Sequence, residues 1–532
     1  MKFSSVLFYL VVVMNFSVQA RKFNTKNRVI QRVSSRTIIC GFVNDTIKKV
    51  SLGRRDFSIF YDERQLWNLP ELIASAENGY FKFELQVDHP IYIEINRKPV
   101  ANFVAFNSFS TRYASGQILI EPGDSIFIDF TRTASGLKFS SNFINEVFFS
   151  GKGVEKIWCV QDIIKNTRMF QSIEFLNISD SDRIERALQL SDSVINMVLK
   201  TIEIYRQKLT KTSITLIKAE YIPILVPDIS ETILPGLLTK SGMDISKSKV
   251  KKLYRDRIAQ LNRLINPGDP TLSYVYVSYT NMLKRQAFLQ YAMDNDFEYP
   301  ETQSFKKVHY DALVKYLPNS VVKQRILARY LWHALVDYEG LSYEVELAIQ
   351  DYISKSDTSN TFTHGLKREI NLYKQNLTKG MNGFQFLLPD TLGNLVSMSQ
   401  FKGKAVLIDF MFTNCFGCIE LVPELTKVEK QFEGDTSIVF VSISIDKRFL
   451  WRLKGSLSSS IPESIFLYTD DLGIYHPVIK HYDVRAYPTL VLLDKEGKLV
   501  TARAPDPRKD SGEALIKLIK ETIEPSGAGV RK

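Results

Sequence analysis

Cysteine is scarce in this chain, four residues among 532. That is too few for a disulfide framework to hold together a chain of this length. Histidine is nearly as rare, with six residues. His476 and His481 stand five apart and share no helical face, and no second CxxC exists, so the residues for a tetrahedral zinc site are lacking. No Lys/Arg block concentrates the net charge of +11, which is a mild bias over this length and excludes nucleic acid as an expected partner. No repeat of fixed period appears. Beyond residue 20 no apolar run approaches a membrane span, so no transmembrane segment is expected after signal removal.

The first twenty residues differ from the rest. A single Lys2 precedes the apolar run VLFYLVVVM, and SVQA places Val18 and Ala20 at small-residue cleavage positions. This layout predicts a secretory signal peptide over 1–20, with an uncleaved anchor as the alternative, and hence a periplasmic or cell-envelope location. The remaining chain is long enough for several domains, and its hydrophobic content of 45% can supply real cores.

Three patterns follow one another. TIICGFV, KKVSLG, GYFKFELQV, PIYIEIN and QILIEPGDSIFIDF, between about 36 and 133, are short stretches rich in β-branched and aromatic residues separated by turn residues. They predict a β-sandwich-like domain over 21–135. RIERALQLSDSVINMVLKTIEIYRQKL and VKQRILARYLWHALVDYEGLSYEVELAIQDYI repeat apolar residues every three or four positions, the second with a break near Gly340. They predict a largely α-helical region over 136–378, whose Tyr and Phe stripes read as helix–helix core rather than a ligand groove. From 379 to 532 strands and helices alternate, which predicts an α/β unit. AVLIDFMF and SIVFVSISID are buried strands, and TLVLLDKEGKLVTARA is a hairpin. FGCIELVPELTKVEKQF is a helix with Ile419, Val422, Leu425, Val428 and Phe432 on one side. DSGEALIKLIKETIE opens with Asp510 at capping-box spacing from Glu513.

Cys415 and Cys418 sit where that first strand meets the helix. Unpaired N–H groups and partial positive charge at a helix start favour a thiolate, and CxxC pairs there titrate between about 3.5 and 7.5 against about 8.5 for a free cysteine. A structural bridge across so short a loop stabilises little. The redox pair is the reading that fits. Cys40 and Cys159 are flanked by apolar residues and read as inert buried thiols, with a bridge between them left open.

The segment 383–524 resembles the thioredoxin superfamily, and most the extracytoplasmic thiol–disulfide oxidoreductases of the TlpA/ResA type. VLIDFMFTNCFGC matches the strand–CxxC segment, Pro423 the helix-kinking proline, and VRAYPTLVLLDKEGKL the segment holding a cis-proline, here Pro488. The upstream regions resemble modules attached to such domains in envelope proteins of Bacteroidota, on EPGDSI and the overall layout. The resemblance implies a thioredoxin-like fold for 379–532 and catalytic roles for Cys415, Cys418, Asp409 and Pro488. It implies substrate contacts at Phe416, Gly417, Tyr487 and Thr489, and no cofactor. Asp409, six residues before Cys415, would be a buried carboxyl with a raised pKa that accepts the proton of Cys418; an edge-facing aspartate is the plain alternative. The implied partners are disulfide-containing envelope proteins and a membrane thiol electron donor of the DsbD/CcdA type. Three departures leave the redox potential open: Asn414 in place of a tryptophan, the Phe416-Gly417 dipeptide, and Leu421 where many such proteins carry a glutamate.

The function expected is therefore an exported thiol–disulfide oxidoreductase that reduces disulfides of envelope proteins. An envelope binding protein with an accessory redox domain is the alternative of another class, because about three quarters of the chain lies outside the CxxC domain. A thiol peroxidase fits poorly, since Phe412 stands where its signature requires threonine. The four candidate catalytic residues fall in one unit, so the chemistry is expected to survive without the upstream regions.

Overall fold

The computed structural model describes residues 35–43, 49–55, 71–96, 118–131, 147–167, 180–225, 247–275, 277–295, 307–335, 341–356, 360–413, 415–447 and 464–524. The candidate signal segment, Asn414 and Gly340 lie outside the described residues.

In YFKFELQV buried and exposed residues alternate without exception, the period of a half-covered strand. The same chemistry gives β1 (Ser35–Phe42), β2 (Lys49–Arg55), β3 (Glu71–Ser75), β4 (Tyr80–Val87), β5 (Ile91–Asn96), β6 (Ile118–Ile120), β7 (Ser125–Asp129) and β8 (Phe148–Lys152). They form two four-stranded sheets, ordered β4-β1-β7-β8 and β3-β2-β5-β6. Ile39, Phe81 and Ile126 of the first share one apolar cluster with Leu52, Ile91 and Ile93 of the second.

β3 and β8 have no counterpart in the sequence reading, and β8 corrects it. This strand pairs antiparallel with β7 although it lies within 136–378, the stretch expected to be helical. Five residues carry too short a pattern to read, and the strand exists because Ser125–Asp129 offers it an edge. The helices follow: α1 (Glu155–Thr167), α2 (Asp180–Tyr205), α3 (Lys211–Leu225), α4 (Lys247–Leu264), α5 (Val277–Asp294), α6 (Lys307–Tyr316), α7 (Val321–His333), α8 (Tyr343–Lys355) and α9 (Thr361–Asn376). Their apolar stripes meet in one core that includes Tyr279, Tyr310, Trp332 and Tyr352. Among the described residues no helix is long and apolar enough to cross a membrane.

A buried polar network ties the sheets to the helices. In the Glu121-Pro122-Gly123-Asp124 turn Gly123 takes a left-handed φ of 82°, and the Asp124 carboxylate accepts the Glu121 N–H at 2.7 Å. Lys156 of α1, only 3% exposed, places Nζ 2.6 Å from Asp124 Oδ2 and 3.6 Å from Glu121 Oε2. Glu121 also accepts the hydroxyls of Thr210 and Ser213, each at 2.6 Å.

The C-terminal part contains β9 (Leu387–Pro389), β10 (Leu395–Ser397), β11 (Ala405–Met411), α10 (Phe416–Lys430), β12 (Ile438–Ser444), β13 (Ile465–Tyr468), α11 (Pro477–His481), β14 (Thr489–Leu493), β15 (Leu499–Thr501) and α12 (Glu513–Ile523). Five strands form one sheet in the order β13-β12-β11-β14-β15. β11 is central, parallel to β12 and antiparallel to β14. The buried face of α10 carries Cys418, Leu421, Leu425 and Val428, whereas Ile419 stands 49% exposed, contrary to the periodic reading. Gly512 precedes α12 in the left-handed region, and Asp510 accepts the N–H groups of Gly512 and Ala514.

Lys156→Ala leaves a buried carboxylate without its cation and is expected to cost about 3–5 kcal/mol, read from the urea midpoint. Lys82→Ala removes an exposed partner of Glu84 and is expected to move the midpoint far less. Equal shifts would mean that the network ties nothing together.

Candidate active site

Every residue of β11 is buried, as a central strand requires. Its side chains alternate between the two faces of the sheet. Val406, Ile408 and Phe410 enter one core with Val491 and Leu493, while Ala405 and Leu407 enter the other with Leu421, Leu425 and Leu515. By the same alternation Asp409 and Met411 belong to the face covered by α10. Met411 groups with Cys415 and Cys418, so Asp409 lies one step deeper beneath the first turn of that helix.

Cys415 caps α10. Its Sγ accepts the Cys418 N–H at 3.1 Å, satisfying one of the donors that a helix start leaves open. The two sulfurs form a disulfide, S–S 2.12 Å, and each cysteine is 4% exposed. Cys415 Sγ lies 3.6 Å from the carbonyl oxygen of Tyr487, and the Tyr487–Pro488 bond is cis. A Cβ on Gly417 would stand 3.2 Å from Pro488 Cδ and 3.5 Å from Tyr487 O. Glycine at 417 thus lets the helix rest against the proline loop. Phe416, 61% exposed, stands out into solvent beside the disulfide. Thr489 is different from the other expected contacts: its side chain is buried, and its hydroxyl donates to Ala486 O at 2.7 Å.

Asp409 is almost fully enclosed, and its Oδ1 has no hydrogen-bond partner among the described residues. Burial alone pushes its pKa up to about 7, because no cation or donor compensates the charged form. Tyr487 is half-buried against the disulfide, its ring edge-on to Phe412 at 5.4 Å, and the enclosure of its hydroxyl pushes the phenol upward. Among the described residues no group of His, Cys, Asp and Glu could hold a metal ion. Cys40 and Cys159 are both free thiols; Cys40 is only half-buried, contrary to the sequence reading, while burial pushes Cys159 up to about 12.

Two anchoring groups escaped the sequence reading. Asp446, after β12, accepts both the backbone N–H and the hydroxyl of Thr413, at 2.6 and 2.5 Å, and so pins the approach to Cys415. Arg508 donates to the Gly417 carbonyl at 3.0 Å, is itself held by Asp506 at 2.6 Å, and lies 3.7 Å from Glu420. Neither contact has a local signal, since 33 and 91 residues separate the partners. Leu421 packs in the core and Glu420 points to the surface.

A family model described as thioredoxin-like matches residues 403–499. Thiol-disulfide oxidoreductase ResA of Bacillus subtilis is 30% identical over 128 residues, which cover 24% of this chain and 68% of the relative. This chain belongs to the ResA-type thiol-disulfide oxidoreductases. The ResA of Halalkalibacterium halodurans is 25% identical over 142 residues, covering 26% of this chain and 77% of that protein. The solution structure of a thiol:disulfide interchange protein from a Bacteroides species is similar at 27% identity, covering 29% of this chain and 97% of that one, with a TM-score of 0.25. The ResA-type portion is the C-terminal quarter, and it contains Asp409, both cysteines and Pro488.

The ResA-type site carries a stability signature. An unfolded aspartate loses its proton near about 3.9, whereas folded Asp409 keeps it to about 7. Between these values the folded state binds more protons than the unfolded one. Stability is therefore full below the lower value and falls as pH rises through the window. Asp409→Asn removes that slope: its advantage over the parent chain is expected to grow by on the order of 4 kcal/mol between pH 4 and pH 8, measured by urea unfolding with the disulfide intact. An advantage that stays constant across the range would exclude a buried neutral acid.

Proposed function

We propose that this chain is an exported thiol–disulfide reductase acting on disulfides of envelope proteins. One observation carries the reading: a Cys415–Cys418 disulfide at a helix start, with Cys415 Sγ 3.6 Å from a backbone carbonyl beside a cis-proline. In the reduced protein Cys415 is the nucleophile, because its sulfur already accepts the Cys418 N–H and charge on it is favoured there. Its thiolate attacks one sulfur of the substrate disulfide. The S–S bond breaks, the other substrate sulfur leaves as a thiolate and is protonated, and a mixed disulfide with Cys415 forms. Cys418 then loses its proton to Asp409 and attacks Cys415 Sγ. The second substrate thiol leaves, and the Cys415–Cys418 disulfide remains. Two electrons have passed to the substrate. A membrane thiol protein of the DsbD/CcdA type returns them by the reverse exchange.

Asp409 suits the proton-accepting role because it is buried on the α10 face and its pKa lies near neutrality. Phe416 and the backbone of Tyr487 offer an extended substrate segment an apolar contact and hydrogen bonds. The upstream sandwich-like sheets and the helices would select the partners met, through docking. Export rests on the signal layout of residues 1–20, and the mature chain is expected to begin at Arg21, as N-terminal sequencing of the secreted protein would read.

The test uses the reduced full-length chain and insulin. Alkylation at neutral pH should label Cys415 before Cys418, and Cys418→Ser should accumulate the mixed disulfide while Cys415→Ser forms none. Asp409→Asn should slow resolution of the mixed disulfide by about a hundredfold while the first attack changes little. Failure of the unaltered chain to reduce insulin would refute the reductase reading, and preferential labelling of Cys418 would reverse the two roles.

A further inference from the structure

Arg485 stands three residues before Pro488, on the loop that carries the cis bond. Its guanidinium is gripped from outside the α/β sheet. Nη2 donates to Glu369 Oε2 of α9 at 2.9 Å, and the planar group lies 4.5 Å over the ring of Trp332 of α7. Nε donates to Asp483 of the same loop. Trp332 is fully enclosed in the helical core, and Glu369 is nearly so, its other oxygen accepting from Arg368 at 3.2 Å. Only a flat cation with a fixed fork of donors can bond a carboxylate and stack on an indole together, so the site demands arginine and not lysine.

The grip is continuous with the rest of the site. Arg503 donates to the carbonyls of Tyr482 and Asp483 at 3.2 and 2.9 Å, so the start of the loop is held as well. Tyr373 of α9 packs against both the helical core and the core of the five-stranded sheet, and Leu377 just beyond α9 is part of the latter. Past it, Gly380 donates to Leu499 O and Leu499 donates to Met381 O, each at 2.7 Å. The helix that supplies Glu369 is therefore joined by several contacts to the unit whose loop supplies the Tyr487 carbonyl.

We propose that Glu369 and Trp332 are positioning residues of the redox site, holding the cis-proline loop against Cys415 through Arg485, so that the helical region completes the surface that receives an extended disulfide substrate. The inference rests on the reductase reading for its substrate, though the coupling itself does not. It departs from the expectation that the chemistry survives without the upstream regions. Misplacement of a substrate-holding group by about 1 Å can cost a hundredfold in rate. The effect should fall on binding of an extended chain more than on turnover.

The experiment compares full-length Glu369→Gln, Glu369→Asp and Arg485→Lys with the parent chain. Hydrogen exchange of the peptide covering 484–490 should be about tenfold faster in Glu369→Gln and Arg485→Lys, with exchange in β1 and β4 unmoved. KM for an extended peptide that carries a disulfide should rise about tenfold while kcat falls less than threefold, and Glu369→Asp should recover most of the loss. Loop exchange equal to the parent in both Glu369→Gln and Arg485→Lys would overturn the coupling. Equal losses in KM and kcat, with no recovery by aspartate, would reduce Glu369 to a stabilising residue and overturn the positioning role. An unaltered chain without reductase activity would refute the function, and the exchange measurement would still decide the coupling.

Discussion

The register of β11 is the constraint on which the rest of the redox unit depends. Fixed between β12 and β14, the strand can present only alternate side chains to α10. That face receives Ala405, Leu407, Asp409 and Met411 in sequence, and the chain emerging from its end delivers Cys415 to the start of the helix. A slip of one residue would exchange Asp409 for Phe410 beneath the helix and turn the carboxyl into the opposite core. The apolar residues on both sides of Asp409 therefore hold the acid in place, and the same residues raise its pKa by withholding water and partners.

Much of this was open to a reader of the sequence, for a physical reason. A CxxC at a strand–helix junction, a central apolar run with one aspartate, and a proline before a second apolar run are local patterns. The five N-terminal stretches rich in β-branched residues likewise carry their own period, and all became strands. What remained hidden depends on distant partners. β8 is five residues whose extended form is imposed by β7. Ile419 looks like core by composition, but Cys418 and Leu421 fix the buried face of α10 and leave it at the rim. The partners of Arg485 and Arg508 stand 116 and 91 residues away, and an arginine in a polar loop gives no local hint of either.

The Glu121–Asp124–Lys156 network and the Glu369–Arg485–Trp332 contact do related work at opposite ends of the helical region. Each places charged groups in a nearly closed setting where their partner comes from another part of the chain. Charges so enclosed are costly without their partners, which favours one mutual arrangement of the joined parts over neighbouring ones. The sheets, the helices and the redox unit are thereby linked through specific polar contacts as well as through apolar packing.

The placement of Cys159 bears on how this molecule lives with its own chemistry. It sits among Val160, Ile163 and the residues of α2 and α3 in the helical core, with a pKa pushed to about 12. Exchange proceeds only through the ionised sulfur, and at neutral pH that fraction is on the order of one in a hundred thousand for such a thiol. The sulfur is thus screened both from collision and from ionisation. Cys159 is in this way withheld from the exchange chemistry of the molecule that carries it, whereas the other free thiol, Cys40, is only half-buried.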